Sequence, residues 1–294
     1  MPHVSMGEIL REARSKRYGV LSLLAGSLEM VIGAVLAAEE KGAPLILAFN
    51  QEVTPQVPME IAVPLMVNVA QRARVPVATI LDHGQSLEVI VQAIRLGLSS
   101  VMFDASGVPY EENVARTRDV VRIAHAVGVS VEAELGSIAG SVRLGPQTPG
   151  GEVSLTDPLA AAEYVAMTGV DALAISFGNA HGVYRGEPRI DLDRIREIHD
   201  KVDVPLVMHG ASGLSDGEYP KIVASGISKL CYYTAMGMGA IDDVKRMLLE
   251  TSHETIVYHH LISRAIGYFY AETKRLIGVI GWTGKDIPFR RESW

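Results

Sequence analysis

Short apolar runs alternate with longer segments of helical periodicity along the whole chain, and this alternation restricts the fold more than any other feature. Runs of this kind, rich in β-branched residues, are typical of strands. Eight are predicted, at residues 19–24, 44–50, 75–82, 99–104, 129–135, 170–176, 204–209 and 227–233. Nearly continuous apolar runs such as VPVATILD indicate parallel strands that helices cover.

The segments between these runs have polar and apolar positions at helical spacing. Helices are predicted at residues 28–41, 86–96, 111–126, 158–167, 192–201 and 242–249, with a further helix at 257–277. Several begin after a residue that can cap a helix: Ser27, Ser86 and Asp157. Eight such units predict a closed (β/α)₈ TIM barrel, with an open doubly wound sheet as the second choice. We expect one domain over residues 1–294 with a C-terminal helical extension.

Charge and composition exclude several classes of protein. A net charge of -7 argues against a nucleic-acid binder, which needs a basic face to displace counterions from phosphates. No apolar run reaches the roughly 18 residues of a membrane-spanning helix, and the N-terminal residues lack the apolar core of a signal peptide. Cys231 is the single cysteine, so neither an internal disulfide nor a cysteine-rich metal site can form. We therefore expect a cytoplasmic protein.

Polar residues follow several predicted strands at the point where each strand ends. Asp82 and His83 end the third strand, Glu134 the fifth and His209 the seventh, while His181 follows the sixth. In a barrel the carboxyl ends of all strands meet at one rim, so these side chains converge. Three imidazoles and a carboxylate match a catalytic Zn²⁺ site, although another divalent metal is possible and any one histidine could be an ordinary rim residue.

Asp82 directly precedes one of these histidines and could carry protons. The alternative is a structural role, in which Asp82 caps a helix or orients a histidine.

Two glycine-rich turns follow the seventh and eighth strands, at residues 210–213 and 234–239. Loops at these positions, with a helix N-terminus behind them, commonly hold phosphate in barrels, although a tight turn alone would also need glycine. Arg185 could bind a substrate phosphate or carboxylate, or it could be a solvated loop residue. The longest loop, at residues 136–154, is of a length that is usually functional or mobile.

The chain resembles the class II, metal-dependent ketose-bisphosphate aldolases, the family of fructose- and tagatose-bisphosphate aldolases. The segments that carry the resemblance run from about residue 82 to 230, in the order of the family. They are LDHGQS, SSVMFDAS, VEAELGSIAG, TDP, TGVDALAIS, AHGVYRGEP, VDVPLVMHGASGL and ISKL. The resemblance implies a zinc-dependent aldehyde-lyase.

The resemblance also implies a role for individual residues. It makes His83, His181 and His209 the zinc ligands. It places Glu134 near the metal as an alternate ligand, and it makes Asp82 the acid that hands a proton to the C4 hydroxyl or aldehyde oxygen. Zinc in that mechanism polarises the donor ketone and stabilises an enediolate. The substrate- and phosphate-binding candidates are Gly182, Gly210, Ser212, Thr234 and Arg185.

The chain departs from the family pattern where the donor is held. Cys231 replaces an asparagine that contacts the enolate, Ala235 replaces an acidic residue, and Val142 replaces a loop glutamate that moves the donor-carbon proton. Near the N-terminus, Ala-Phe-Asn of the family reads Ser-Leu-Leu at residues 22–24, and a serine expected after the second strand is Asn50. Candidates to replace the lost groups are Tyr232, Tyr233, Arg185 and Glu152. These departures predict a substrate other than the standard hexose bisphosphate.

The sequence therefore predicts a zinc-dependent aldolase-type lyase for a phosphorylated or otherwise anionic keto compound. Two alternatives stay open: a metal-dependent isomerase or epimerase that works through an enediolate, and a non-catalytic homologue that binds a ligand. No nucleic acid or membrane is expected as a partner, and a homodimer or homotetramer is expected.

Overall fold

The computed structural model describes residues 2–53, 55–138, 154–182, 184, 188–250 and 255–284, and it confirms the predicted barrel. Eight parallel strands follow one another in chain order, and the first pairs with the last. The strands are β1 (Val20–Leu24), β2 (Leu45–Phe49), β3 (Val77–Gly84), β4 (Ser100–Phe103), β5 (Ser130–Leu135), β6 (Ala172–Ile175), β7 (Leu206–Met208) and β8 (Ile227–Tyr232). Each overlaps a predicted strand.

Ten helices surround the strands in the described part of the chain. They are α1 (Met6–Lys16), α2 (Leu28–Lys41), α3 (Met59–Arg72), α4 (Leu87–Arg95), α5 (Tyr110–His125), α6 (Pro158–Thr168), α7 (Leu192–His199), α8 (Tyr219–Ser225), α9 (Thr234–Glu250) and α10 (Tyr258–Val279). The predicted caps Ser27, Ser86 and Asp157 are confirmed, since each side chain accepts a hydrogen bond from a first-turn amide. None of the described helices is long and apolar enough to cross a membrane.

Three helices were not predicted from the sequence: α1, α3 and α8. α3 contains Pro64, which normally ends a helical pattern, and α8 is only seven residues long and begins beside Pro220. α1 looked like a charged N-terminal segment, but its apolar side is buried. In addition, α9 begins eight residues before its predicted start, because the glycines of its first turns resemble a loop.

The strand side chains divide the core into two parts. One set faces the helices, and the alternate set forms a small cluster inside the barrel together with Met6, Ile9, Leu10 and Ala13 of α1. α1 thus closes the N-terminal end of the barrel with apolar side chains. The interior positions nearer the C-terminal end carry Glu132 and Lys229 instead, both fully buried. The barrel is therefore polar at the end where the candidate residues lie.

Candidate active site

The three predicted ligand histidines meet at the C-terminal rim. His83 lies at the end of β3, His209 directly follows β7, and His181 lies in the loop between β6 and α7. The Nε2 atom of His83 is 3.0 Å from Nδ1 of His209, and Nε2 of His181 is 3.5 Å from the same atom. The structure therefore brings together residues that are up to 126 positions apart in the chain.

Carboxylates fix the orientation of two of these rings. Nδ1 of His83 donates to Oδ2 of Asp104 at 2.7 Å, and Nε2 of His209 donates to Oε1 of Glu132 at 3.0 Å. Because a carboxylate only accepts, each ring carries a proton on that nitrogen, and its other nitrogen is the one left to bind a metal. These second nitrogens of His83 and His209 face one another across the rim.

This arrangement fits a bound cation. Either a proton or a metal ion between the facing nitrogens offsets the repulsion of their lone pairs, and a tetrahedral site with metal–nitrogen bonds of about 2.0–2.1 Å separates its ligand nitrogens by about 3.4 Å. The observed separations of 3.0 and 3.5 Å bracket that value. Burial, together with the two neighbouring rings, lowers the pKa of His181 to about 3, so its ring is neutral at physiological pH as a metal ligand must be.

Glu134 lies beside the histidines with one oxygen unused. Its Oε2 atom is buried and has no hydrogen-bond partner in the described part of the chain. Burial raises the pKa of Glu134 to about 7. Donor atoms of His83, Asp104 and Glu134 lie within 4.8 Å of one another, as do those of the three histidines. Glu134 therefore lies close enough to His83 to bind the same metal ion, and its role as an alternate ligand stays a prediction.

Asp82 is buried at the same rim and is held in place by Asn50, whose Nδ2 donates to Asp82 Oδ2 at 3.1 Å. Burial alone would raise the pKa of Asp82, but the charges of His83, His209 and Lys229 hold it below its usual value. Asp82 is thus ionised at neutral pH and can accept a proton. The neighbouring His83 has a φ of 52°, a left-handed backbone that few non-glycine residues adopt and that is concentrated at functional sites.

Two cavities meet at His83 and His181. The smaller, of about 40 Å³, is lined by Ser22, Leu24, Ala48, Asp82, His83, His181, Gly182, His209, Gly210, Ser212, Cys231, Tyr232, Tyr233 and Thr234. The larger, of about 190 Å³, is lined by Asn50, Glu52, His83, Gln85, Asp104, Ser106, Glu134, Ser137, Ile138 and His181. A bound molecule could therefore extend to both sides of the histidines.

The predicted phosphate-binding residues Gly182, Gly210, Ser212 and Thr234 all line the smaller cavity. Gly210 has a φ of 70°, and a Cβ added there would lie 1.9 Å from the carbonyl oxygen of Ala180, so no side chain fits. Ser212 Oγ accepts a hydrogen bond from the Tyr233 amide at 3.1 Å. Thr234 begins α9, whose first-turn amides have no partner within the helix. The glycine-rich turn at Gly210 and the N-terminus of α9 thus border one cavity.

The remaining residues that the sequence analysis singled out differ in their outcome. Val142, Glu152 and Arg185 are outside the described residues. The hydroxyl of Tyr232 donates to Glu272 Oε1 on α10 at 3.3 Å, so it does not point toward the histidines. Tyr233 lines the smaller cavity and remains a candidate.

Three residues that support the site were not identified from the sequence: Asp104, Glu132 and Lys229. Asn50 was noted only as a departure from the family pattern, not as the partner of Asp82. Glu132 and Lys229 could have been found from the sequence, because each is a charged residue within an otherwise apolar predicted strand. Both are fully buried, and Lys229 Nζ donates to Glu132 Oε2 at 2.6 Å. Such burial is rare for unpaired charges and indicates a partner.

Several known proteins are similar to this chain in sequence. A family model described as class-II fructose-bisphosphate aldolase matches residues 4–285. YdjI of Escherichia coli (strain K12) is 38% identical over 234 residues, 80% of this chain and 84% of YdjI. A fructose-bisphosphate aldolase of Staphylococcus aureus (strain N315) is 36% identical over 251 residues, 84% of this chain and 87% of that protein.

A solved structure is similar over nearly the whole chain. The X-ray structure of the YdjI aldolase from Escherichia coli K12 superposes with a TM-score of 0.85 at 33% identity, and the match covers 97% of this chain and 100% of that one. The sequence match and the shared barrel confirm the resemblance noted from the motifs. The chain belongs to the class II fructose-bisphosphate aldolase family and is an aldolase-type lyase.

Proposed function

We propose that this lyase uses zinc to cleave or form a carbon–carbon bond in a small ketone that is phosphorylated or otherwise anionic and is not the standard fructose 1,6-bisphosphate. The convergence of His83, His181 and His209 beside Asp82 carries the proposal. Three imidazole nitrogens with an open fourth position are typical of catalytic zinc. Another divalent ion held by the same ligands is the alternative that metal analysis distinguishes.

Neighbouring carboxylates orient the side chains that would bind the metal. Asp104 and Glu132 hold the His83 and His209 rings so that their lone pairs converge, and the orphaned Oε2 of Glu134 supplies a further donor atom. Zinc in such a site acts as a Lewis acid that polarises a carbonyl oxygen.

Asp82 is the proton carrier in this proposal. In the cleavage direction the substrate hydroxyl gives its proton to the Asp82 carboxylate, the carbon–carbon bond breaks to leave an aldehyde, and the bonding electrons pass to the ketone fragment. Asn50 keeps the carboxylate oriented through its 3.1 Å hydrogen bond. The general-acid and general-base roles of one side chain then alternate between the two directions of reaction.

The two cavities support a reaction with two fragments. The smaller cavity is bordered by the turn at Gly210 and by the N-terminus of α9, whose dipole suits an anionic group on the ketone fragment. The larger cavity reaches the opposite side of His83 and His181 and can hold the aldehyde fragment. This division favours carbon–carbon cleavage over an isomerisation, which leaves one molecule intact.

We also propose a homo-oligomeric cytoplasmic protein. Apolar side chains on the α9–α10 hairpin support the first part, since Leu249 and Tyr258 are 88% and 75% exposed. The absence of any disulfide from a chain with one cysteine is compatible with a reducing compartment.

Metal analysis of the purified protein, combined with product analysis on a panel of ketose phosphates, tests the proposal. We expect about one zinc per chain and aldehyde release from at least one ketose. His209→Ala should lose both metal and activity. Asp82→Asn should keep the metal and lose about 10²- to 10⁴-fold in kcat.

The matched control is His125→Ala, which changes a histidine on the outer helix α5 and should alter neither quantity. Full turnover by the metal-free protein would contradict the proposal. Interconversion of isomers without fragments would favour an isomerase instead.

A further inference from the structure

A third cavity, of about 300 Å³, lies at the opposite end of the barrel from the rim histidines and is larger than either cavity described above. The C-terminal ends of α1, α7 and α8 and the first residues of β8 border it. Pockets for small molecules begin at about this volume. This N-terminal cavity can therefore hold more than an isolated ion, and no step of the proposed reaction uses it.

Positive charge predominates in the N-terminal cavity. Arg14, Arg17 and Arg196 line it, whereas Asp200 is its single carboxylate among the described residues. Burial and the charge of Arg14 lower the pKa of His199 in the same wall. Arg17 acts on this pKa in the same direction and Asp200 in the opposite one. The His199 ring is therefore neutral at physiological pH, and the cavity keeps an excess of cations.

The helix ends at this cavity would by themselves favour a cation, because the last carbonyl groups of a helix carry partial negative charge. Arg14 offsets those at the end of α7. Its guanidinium donates to the carbonyl oxygens of His199 at 2.9 Å, Val202 at 2.6 Å and Val204 at 3.0 Å. Arg14 is thereby occupied, so a ligand must bind through the other two guanidinium groups.

Arg17 and Arg196 are both exposed and supply those groups. Arg17 ends α1 in the left-handed conformation, with a φ of 57°, where glycine is the usual residue. Its guanidinium has no ion-pair partner within the described residues. Arg196 contacts Asp193 in a solvent-exposed pair, which holds the side chain only weakly. Both cations are therefore available to an anion in the cavity.

A buried hydroxyl in the wall of the N-terminal cavity also lacks a partner. Ser225 is the last residue of α8, is 2% exposed, and its Oγ has no hydrogen bond within the described part of the chain. Buried hydroxyl groups are nearly always paired, because an unpaired one loses its hydrogen bonds to water without replacement. The exception in a cavity wall indicates a partner that the protein does not supply.

We propose that the N-terminal cavity binds a small phosphate monoester, with Arg17 and Arg196 as its cationic partners and Ser225 as a neutral hydrogen-bond donor. A guanidinium group matches phosphate oxygens with two parallel hydrogen bonds, and a phosphate group offers enough oxygens for all three side chains. The inference is independent of the proposed function. The ligand lies at the far end of the barrel from the histidines, so it takes no part in the reaction and instead joins the ends of α1, α7 and α8.

The test follows the histidine ring resonances by NMR while the protein is titrated at neutral pH with glycerol phosphate and, separately, with inorganic phosphate. The His199 resonance, assigned by its loss in His199→Gln, should shift and saturate with glycerol phosphate. Sodium chloride of equal ionic strength should leave it unchanged. Arg17→Gln and Arg196→Gln should each raise the Kd about tenfold, since each removes a charged hydrogen-bonding group.

Arg11→Gln is the matched control, because Arg11 lies on the same helix as Arg17 but outside the cavity, 3.9 Å from Asp171. It makes the same change in net charge and should leave the Kd unchanged. Arg14 is kept in every variant, since its hydrogen bonds to carbonyl groups belong to the fold.

Shifts confined to His83, His181 and His209 would place the phosphate at the rim only and overturn the inference. So would a His199 shift that chloride reproduces, or equal weakening in the Arg11 and Arg17 variants. Tighter binding of inorganic phosphate than of glycerol phosphate would overturn the assignment of an ester and identify the free ion as the ligand.

Discussion

Glu132 and Lys229 lie inside the barrel, beneath His209 and without contact with solvent. Burial opposes ionisation of Glu132, but the Lys229 and His209 charges lower its pKa to about 2. Lys229 likewise keeps its proton, because Cys231, Glu132 and Asp82 outweigh the effect of burial and raise its pKa. The ion pair therefore holds a permanent carboxylate under the histidine ring.

We predict that Lys229→Met destabilises the protein by about 3–5 kcal/mol, because the Glu132 charge is left buried without its cation. Urea unfolding of the metal-free protein measures this. The double variant with Glu132→Gln should recover part of the loss, since it removes that charge. Lys245→Met, which breaks an exposed pair with Asp242, is the control and should cost less than about 1 kcal/mol. Equal losses in the Lys229 and Lys245 variants would argue against the ion pair.

At the scale of elements, α10 packs closely on α2 at Gly33. A Cβ added to Gly33 would lie 2.8 Å from the Ile266 carbonyl oxygen, 2.8 Å from Phe269 Cβ and 2.9 Å from the Tyr270 amide nitrogen. Two of these atoms belong to the backbone of α10 and cannot rotate away. The contact also buries Phe269, Thr273, Leu276 and Ile277 on α10. Gly33 therefore sets how near the C-terminal helix approaches the barrel.

Gly33→Ala should accordingly lower the free energy of unfolding by about 1–3 kcal/mol, the usual cost of overpacking. Gly267→Ala in α10 is the matched control, because a Cβ there meets nothing within 4 Å. That variant should be stabilised by about 0.5–1 kcal/mol through better helix propensity. Thermal unfolding compares the two, and a Gly33 variant as stable as wild type would show that α10 can move without cost.

In the molecule as a whole, Arg14 connects α1 to the end of α7 and to the loop that precedes β7. Its guanidinium donates to the carbonyl oxygens of Val202 at 2.6 Å and Val204 at 3.0 Å, and it lies 2.9 Å from Nδ1 of His199. Burial, followed by the charge of Arg14, lowers the pKa of His199. A neutral His199 is therefore part of the folded state.

This pKa shift predicts loss of stability in acid. The unfolded chain binds a proton to His199 more readily than the folded one, so folding becomes less favourable as the pH falls below about 6.5. We expect the free energy of unfolding to decrease from pH 7.5 to pH 5. The decrease should be smaller in His199→Gln, which cannot titrate. Urea unfolding at both pH values measures the difference, and an identical pH dependence would exclude His199 as a contributor.

Local sequence patterns were enough to predict the strands, most of the helices and the residues at the rim. Strand and helix periodicities are local properties, so the eight strands and most helices were predictable from neighbouring residues. Once the barrel was inferred, its topology placed the strand ends together, and His83, His181 and His209 followed. α3 was missed because Pro64 interrupts the local pattern, while packing against the barrel stabilises that helix.

The residues that support the site, in contrast, are held together by contacts between distant parts of the chain. Glu132 contacts His209 across 77 positions and Lys229 across 97, and Asp104 reaches His83 across 21. The unpaired Oε2 atom of Glu134 is likewise visible only when the neighbouring strands are in place. Such contacts depend on distances between strands that close a barrel, and no local periodicity encodes those distances.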